Sequence, residues 1–132
     1  MTSADRSPLK LGWFSTGRGE GSRGLLTAAL DAIDSGSLNA RIEFVFVNRE
    51  RGQHTGTDRY MDLVEQRGIP LVNLSSQRFR SDNGRAPWSE LRGKFDEAVM
   101  ELLKPYSVDV SVTAGYMLIA PILCLHYIMV NL

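Results

Sequence analysis

Gly17, Gly19, Gly21 and Gly24 fall in one ten-residue stretch, Ser15-Thr16-Gly17-Arg18-Gly19-Glu20-Gly21-Ser22-Arg23-Gly24. An apolar run over residues 9–14 enters this stretch, and the amphipathic segment Leu25-Leu26-Thr27-Ala28-Ala29-Leu30 leaves it. Strand, glycine loop and helix form the layout that presents bare backbone N–H groups to an anion. Without Cβ atoms the loop can approach a phosphate closely, and a helix N-terminus adds about half a positive charge. The chemistry predicted here is capture of a phosphorylated ligand, with Arg18 and Arg23 as flanking cations able to donate charge-assisted hydrogen bonds.

Other chemical signatures are weak. Gly19-x-Gly21-x-x-Gly24 matches the dinucleotide fingerprint, but Asn48 stands where that motif wants an acid for the ribose hydroxyls. No Gly-Lys-Ser/Thr follows the loop, so a nucleoside-triphosphate site is not expected. His54 lies in a polar loop and reads as a surface histidine, and His126 reads as a structural helix-end residue. Cys124 is the single cysteine and reads as core, which excludes an intrachain disulfide. No paired Cys-x-x-Cys or His-Glu-x-x-His is present, and no metal site is expected.

The elements that must position the glycine loop read as alternating strands and helices. Strands are predicted over residues 9–15, 42–47, 71–74, 108–113 and 128–132. Helices are predicted from residues 22–24 to Ser35 with Gly36 as cap, over 57–67 with Gly68 as stop, from Ser89 to about Leu103, and over 121–127. Residues 75–88 read as a long polar connection that could cover a ligand. This order predicts right-handed βαβ units and a parallel sheet covered on both faces. In such sheets ligands sit beyond the C-terminal strand ends, where strand order switches.

Bulk composition limits the partners. With 15 basic and 15 acidic residues the net charge is zero, so nucleic acid and anionic membranes are not expected as partners. Hydrophobic content of 43% with 23% charge fits one globular domain over residues 9–132, behind a flexible leader at 1–8 that lacks a signal-peptide core. The longest apolar stretch, residues 117–132, is interrupted by Pro121, His126 and Asn131 and is a poor membrane span. A cytoplasmic location is expected.

The chain resembles the formyltransferase family, in its glycinamide-ribonucleotide branch. The resemblance rests on the opening strand and glycine loop ending Gly21-Ser22-Arg23, on Phe46-Val47-Asn48-Arg49, and on Gly68-Ile69-Pro70. It continues through Asp109-Val110-Ser111-Val112-Thr113-Ala114-Gly115-Tyr116-Met117, Pro121 and Val130-Asn131-Leu132. It implies a Rossmann-like α/β fold, a parallel sheet with helices on both faces, truncated after the fifth strand. It implies formyl transfer from 10-formyltetrahydrofolate to the amine of glycinamide ribonucleotide in purine synthesis. Gly19, Gly21, Ser22 and Arg23 would then hold the substrate phosphate. Ala114, Gly115, Met117, Leu118 and Ile119 would border the folate pocket, and Asn131 would donate to the developing oxyanion.

Departures from the pattern carry their own expectations. Arg23 stands where the family has Asn, and Leu118 where it often has Arg. The family histidine two residues past the asparagine, and an aspartate further on, have no counterpart, which implies negligible turnover by this chain. A sheet ending on its fifth strand would leave an open edge prone to self-association. The alternative reading is a non-catalytic phosphate- or dinucleotide-binding module of the same architecture. A third is a degenerate family member retained as an interaction protein.

Overall fold

Strong alternation and β-branched or aromatic runs alternate with amphipathic segments along the chain, and each becomes an element of one sheet or of a layer against it. The computed structural model describes residues 7–118 and 128–132. Most of the leader, Ile119, and the expected helix over 121–127 with Cys124 and His126 lie outside the described residues. The elements are β1 (Leu9–Ser15), α1 (Glu20–Asp34), β2 (Ala40–Val47), α2 (Thr55–Gln66), β3 (Leu71–Asn73), α3 (Ser76–Asp82), α4 (Trp88–Leu103), β4 (Val110–Thr113) and β5 (Met129–Asn131). The five strands form one sheet in the order β3-β2-β1-β4-β5, and every neighbouring pair is parallel.

Two cores sit on the two faces. On one, Leu11 and Trp13 of β1 and Val45 and Val47 of β2 meet Leu26 and Leu30 of α1 and Tyr60, Met61 and Val64 of α2. On the other, Phe14, Phe44 and Phe46 meet Phe95, Val99 and Leu103 of α4. The helical residues recur every three or four positions, so one stripe of each helix is buried. Each fully buried side chain of this size contributes about 1.5–3 kcal/mol. Phe14 packs its ring edge-on against Phe44, 5.6 Å between centroids, and lies 5.7 Å from Tyr116.

One irregularity sets which residues face which layer. Leu11 pairs with Ile42 but Gly12 pairs with Phe44, so Glu43 is an extra residue in β2. Strand side chains alternate faces, so one inserted residue reverses the parity. Ile42 therefore faces α1 and α2, whereas Phe44 and Phe46 face α4. The Phe44 ring lies over Gly12, where a Cβ would come within 2.6 Å of it.

Residues 75–88 do not form the long loop that their polarity suggests. Ser75 caps α3 by accepting a 3.1 Å hydrogen bond from the Arg78 N–H. Phe79 then anchors the helix on α4, its ring 5.3 Å from that of Phe95. A cap and a single aromatic anchor suffice because α4 is already in place to receive them.

Candidate functional site at the strand-order switch

The chain runs outward from β1 to β2 and β3, then returns to β4 on the other side of β1. Strand order therefore switches between β1 and β4, and the crevice beyond their C-terminal ends is where such a sheet accepts ligands. The loop after β1, residues 16–19, and the turn after β4, residues 114–118, both open there.

Helix α1 starts at Glu20, earlier than the expected start at residues 22–24. Gly21, Ser22 and Arg23 are thus first-turn helical residues and not part of the loop. Gly19 is the N-cap, extended (φ −126°, ψ 178°), and no side chain caps the helix. The first N–H groups of a helix have no acceptor within it, so this end presents unsatisfied donors. The first intrahelical bond is a long one, Arg23 N–H to Gly19 O at 3.4 Å. Gly19 and Gly21 are exposed, and apart from their own neighbouring backbone no heavy atom lies within 4 Å of where a Cβ would sit on either. Arg23 is half-buried and Arg18 exposed, and among the described residues neither forms an ion pair.

The β4 turn is laced to this loop. Gly115 accepts from Thr16 N–H at 2.9 Å, and Ala114 N–H donates to Phe14 O at 2.9 Å. Met117 N–H donates to Thr16 Oγ1 at 3.0 Å. Gly115 is left-handed (φ +71°), and a Cβ there would lie 2.4 Å from Ser22 Oγ. The structure thereby brings Ser22, from the proposed phosphate set, against Gly115, from the proposed folate set. Ala114 is fully buried and Leu118 packs on the aromatic core, whereas Met117 is 70% exposed.

Asn131 ends β5 and is paired in register with Thr113 of β4. The Thr113 hydroxyl donates to Asn131 Oδ1, and Leu132 N–H donates to Thr113 O at 2.8 Å. The amide oxygen is thus engaged, and Nδ2 remains as the donor of this exposed side chain.

Several residues escaped the sequence reading. His54 is not a plain surface residue: it caps α2, its Nδ1 accepting from Gly56 N–H at 3.1 Å. Thr16, Thr57 and Tyr60 support the loop after β1 from inside. Thr57 Oγ1 donates to Thr16 O at 3.2 Å, and Gly17 N–H donates to Ser15 Oγ at 2.9 Å. A threonine or tyrosine on the apolar side of a helix carries no sequence signal for this work. Among the described residues no cluster of His, Cys, Asp or Glu could hold a metal ion, and no helix is long and apolar enough to cross a membrane.

No protein-family model matches the chain, and no curated protein does. Two solved structures match its fold. Glycinamide ribonucleotide transformylase 1 of Symbiobacterium toebii superposes with a TM-score of 0.64 at 22% identity, covering 98% of this chain and 56% of its own. The phosphoribosylglycinamide formyltransferase of Coxiella burnetii superposes with a TM-score of 0.67 at 25% identity, covering 94% of this chain and 50% of its own. The chain spans about half the length of these two proteins. It has the Rossmann-like fold of the phosphoribosylglycinamide formyltransferases, the family that its sequence resembles.

Proposed function

We propose that the junction of β1 and α1 binds the phosphate of glycinamide ribonucleotide, and that the chain serves formyl transfer to the amine of that ribonucleotide in the cytoplasm. One observation carries this reading. An uncapped helix N-terminus, the Gly115 turn and Asn131 converge at the strand-order switch of a fold shared with formyltransferases.

The division of labour follows from the chemistry of each group. Backbone N–H groups at Gly21 and Ser22 donate to phosphate oxygens, and the Arg23 guanidinium neutralises charge beside them. Asn131 Nδ2 donates to the oxygen charge that develops as the substrate amine attacks the formyl carbon. Thr113 holds the amide oxygen, which keeps the nitrogen facing outward. Exposed Met117, two residues past Gly115, offers apolar surface at the same end of the sheet and fits the flat ring of a folate. 10-Formyltetrahydrofolate would supply the formyl group there, bordered by Gly115, Met117 and Leu118. Ile119 completes the set that the resemblance implies.

Calorimetric titration with glycinamide ribonucleotide and, separately, with NAD tests the reading. The ribonucleotide is expected to bind. Arg23→Ala is expected to weaken it about three- to tenfold, the range of one partly exposed charge-assisted bond. NAD binding without ribonucleotide binding would replace formyl transfer with a dinucleotide-binding role.

A further inference from the structure

The loop after β1 has a second support besides the β4 turn. It rests on the N-terminal half of α2, through three residues on one face of that helix. A Cβ on Gly56 would lie 2.2 Å from Arg18 O, so α2 approaches the loop backbone directly. Thr57 bonds Thr16 O, as described above. Tyr60 lies beneath both, fully buried.

Tyr60 acts in two ways. Its ring packs on Gly17: a Cβ there would lie 2.8 Å from Tyr60 Cγ, and Gly17 is left-handed (φ +67°). Its hydroxyl ties the ring to β1: Trp13 Nε1–H donates to the Tyr60 oxygen at 2.9 Å. Beside the ring, Ser15 Oγ accepts the Gly17 N–H at 2.9 Å. Trp13, Ser15 and Tyr60 are each 2% exposed or less, so no water competes for these bonds.

We propose that Tyr60 is the positioning residue of the anion loop: from α2 its ring, anchored to β1 through the Trp13 bond, fixes the turn Ser15–Gly17, and so the direction in which the amides at the start of α1 point. The role rests on the phosphate reading above. Gly17 alone could adopt many conformations, since glycine visits both signs of φ freely. Packing on one side and a fixed acceptor on the other select one of them. Preorganised donors bind more tightly than donors that must first be ordered.

The test compares Tyr60→Phe with Val64→Ala. Val64 is buried on the same helix but touches none of these bonds, so its variant reports loss of packing alone. Ribose 5-phosphate binding is measured by calorimetry, and exchange of the Gly17 amide hydrogen by NMR. Tyr60→Phe is expected to weaken binding about fivefold, the size of one ordinary hydrogen bond, and to speed Gly17 exchange. Ser15→Ala removes the acceptor of the Gly17 N–H directly and is expected to do the same. Val64→Ala is expected to lose stability and keep its affinity. Equal affinity losses in Tyr60→Phe and Val64→Ala, or unchanged Gly17 exchange in Tyr60→Phe, would overturn the role. A wild-type protein that binds no ribose 5-phosphate overturns the phosphate reading and this role together. Binding that survives Tyr60→Phe unchanged overturns this role alone.

Discussion

The Thr16 hydroxyl, in the loop after β1, accepts a 3.0 Å hydrogen bond from the backbone N–H of Met117, in the turn after β4. A second bond runs the other way, from Thr16 N–H to Gly115 O at 2.9 Å. The two segments that flank the strand-order switch are therefore tied to each other by a reciprocal pair of bonds.

Thr16→Val keeps the shape of the side chain and removes the acceptor. Thr16 is fully buried, but Met117 is 70% exposed and the bond is only partly buried, so water can reach the freed N–H. Losing one ordinary hydrogen bond costs about 0.5–1.5 kcal/mol. Urea unfolding is expected to show a loss in that range, with Thr16→Ser recovering most of it. A Thr16→Val protein as stable as wild type would mean that the Met117 turn is held by other contacts.

Gly115→Ala brings two separable faults. The left-handed backbone at φ +71° costs an alanine about 1–2 kcal/mol. The new methyl would also sit 2.4 Å from Ser22 Oγ. Adding Ser22→Ala is expected to relieve the collision and leave the backbone strain, so the double variant is more stable than Gly115→Ala alone. Chemical unfolding of the four proteins measures this. A double variant less stable than Gly115→Ala would show that the oxygen is not what the methyl strikes.

Alkaline pH is expected to destabilise the fold through its buried tyrosines. Burial pushes the Tyr60 hydroxyl up from 10 to about 12, against the smaller lowering effect of its bonds to Ser15 and Trp13. Burial, with the charge of Asp96 second, raises Tyr116 as well. In the unfolded chain both ionise near pH 10. Below that pH both states hold the protons, and the tyrosines contribute no slope. Above it the unfolded state releases protons that the folded state keeps, so stability falls as pH rises from 10 through 12. Tyr60 alone accounts for on the order of 2–3 kcal/mol of this loss. Tyrosinate absorbance and urea unfolding across that range measure it, and Tyr60→Phe is expected to flatten the slope. A folded protein whose tyrosines all titrate near pH 10 would contradict the burial of these two rings.

Much of the architecture was legible because its causes are local. The β-branched and aromatic run before Asn48 and the amphipathic segment Leu25–Leu30 are both short-range patterns. The start of α1 was less so. Glycine disfavours helix, so Gly21 and Gly24 read as loop, although Glu20 in the first turn suits the positive end of a helix. Helix α3 was missed because six of its seven residues are polar and its one anchor, Phe79, needs α4 to be seen. The parity switch in β2 was invisible because Glu43 continues the strand composition without a break.

The sequence by itself determined the five strands, the helices α1, α2 and α4 and the glycine stretch that opens α1, because these depend on neighbours within a few residues. Only the tertiary structure decided that β4 returns beside β1, that Ser22 lies against Gly115, and that Tyr60 sits beneath Gly17. Those relationships join residues as far apart as Thr16 and Met117, 101 positions distant. They arise from packing two layers against one sheet, and no periodicity along the chain records which distant side chains that packing will bring into contact.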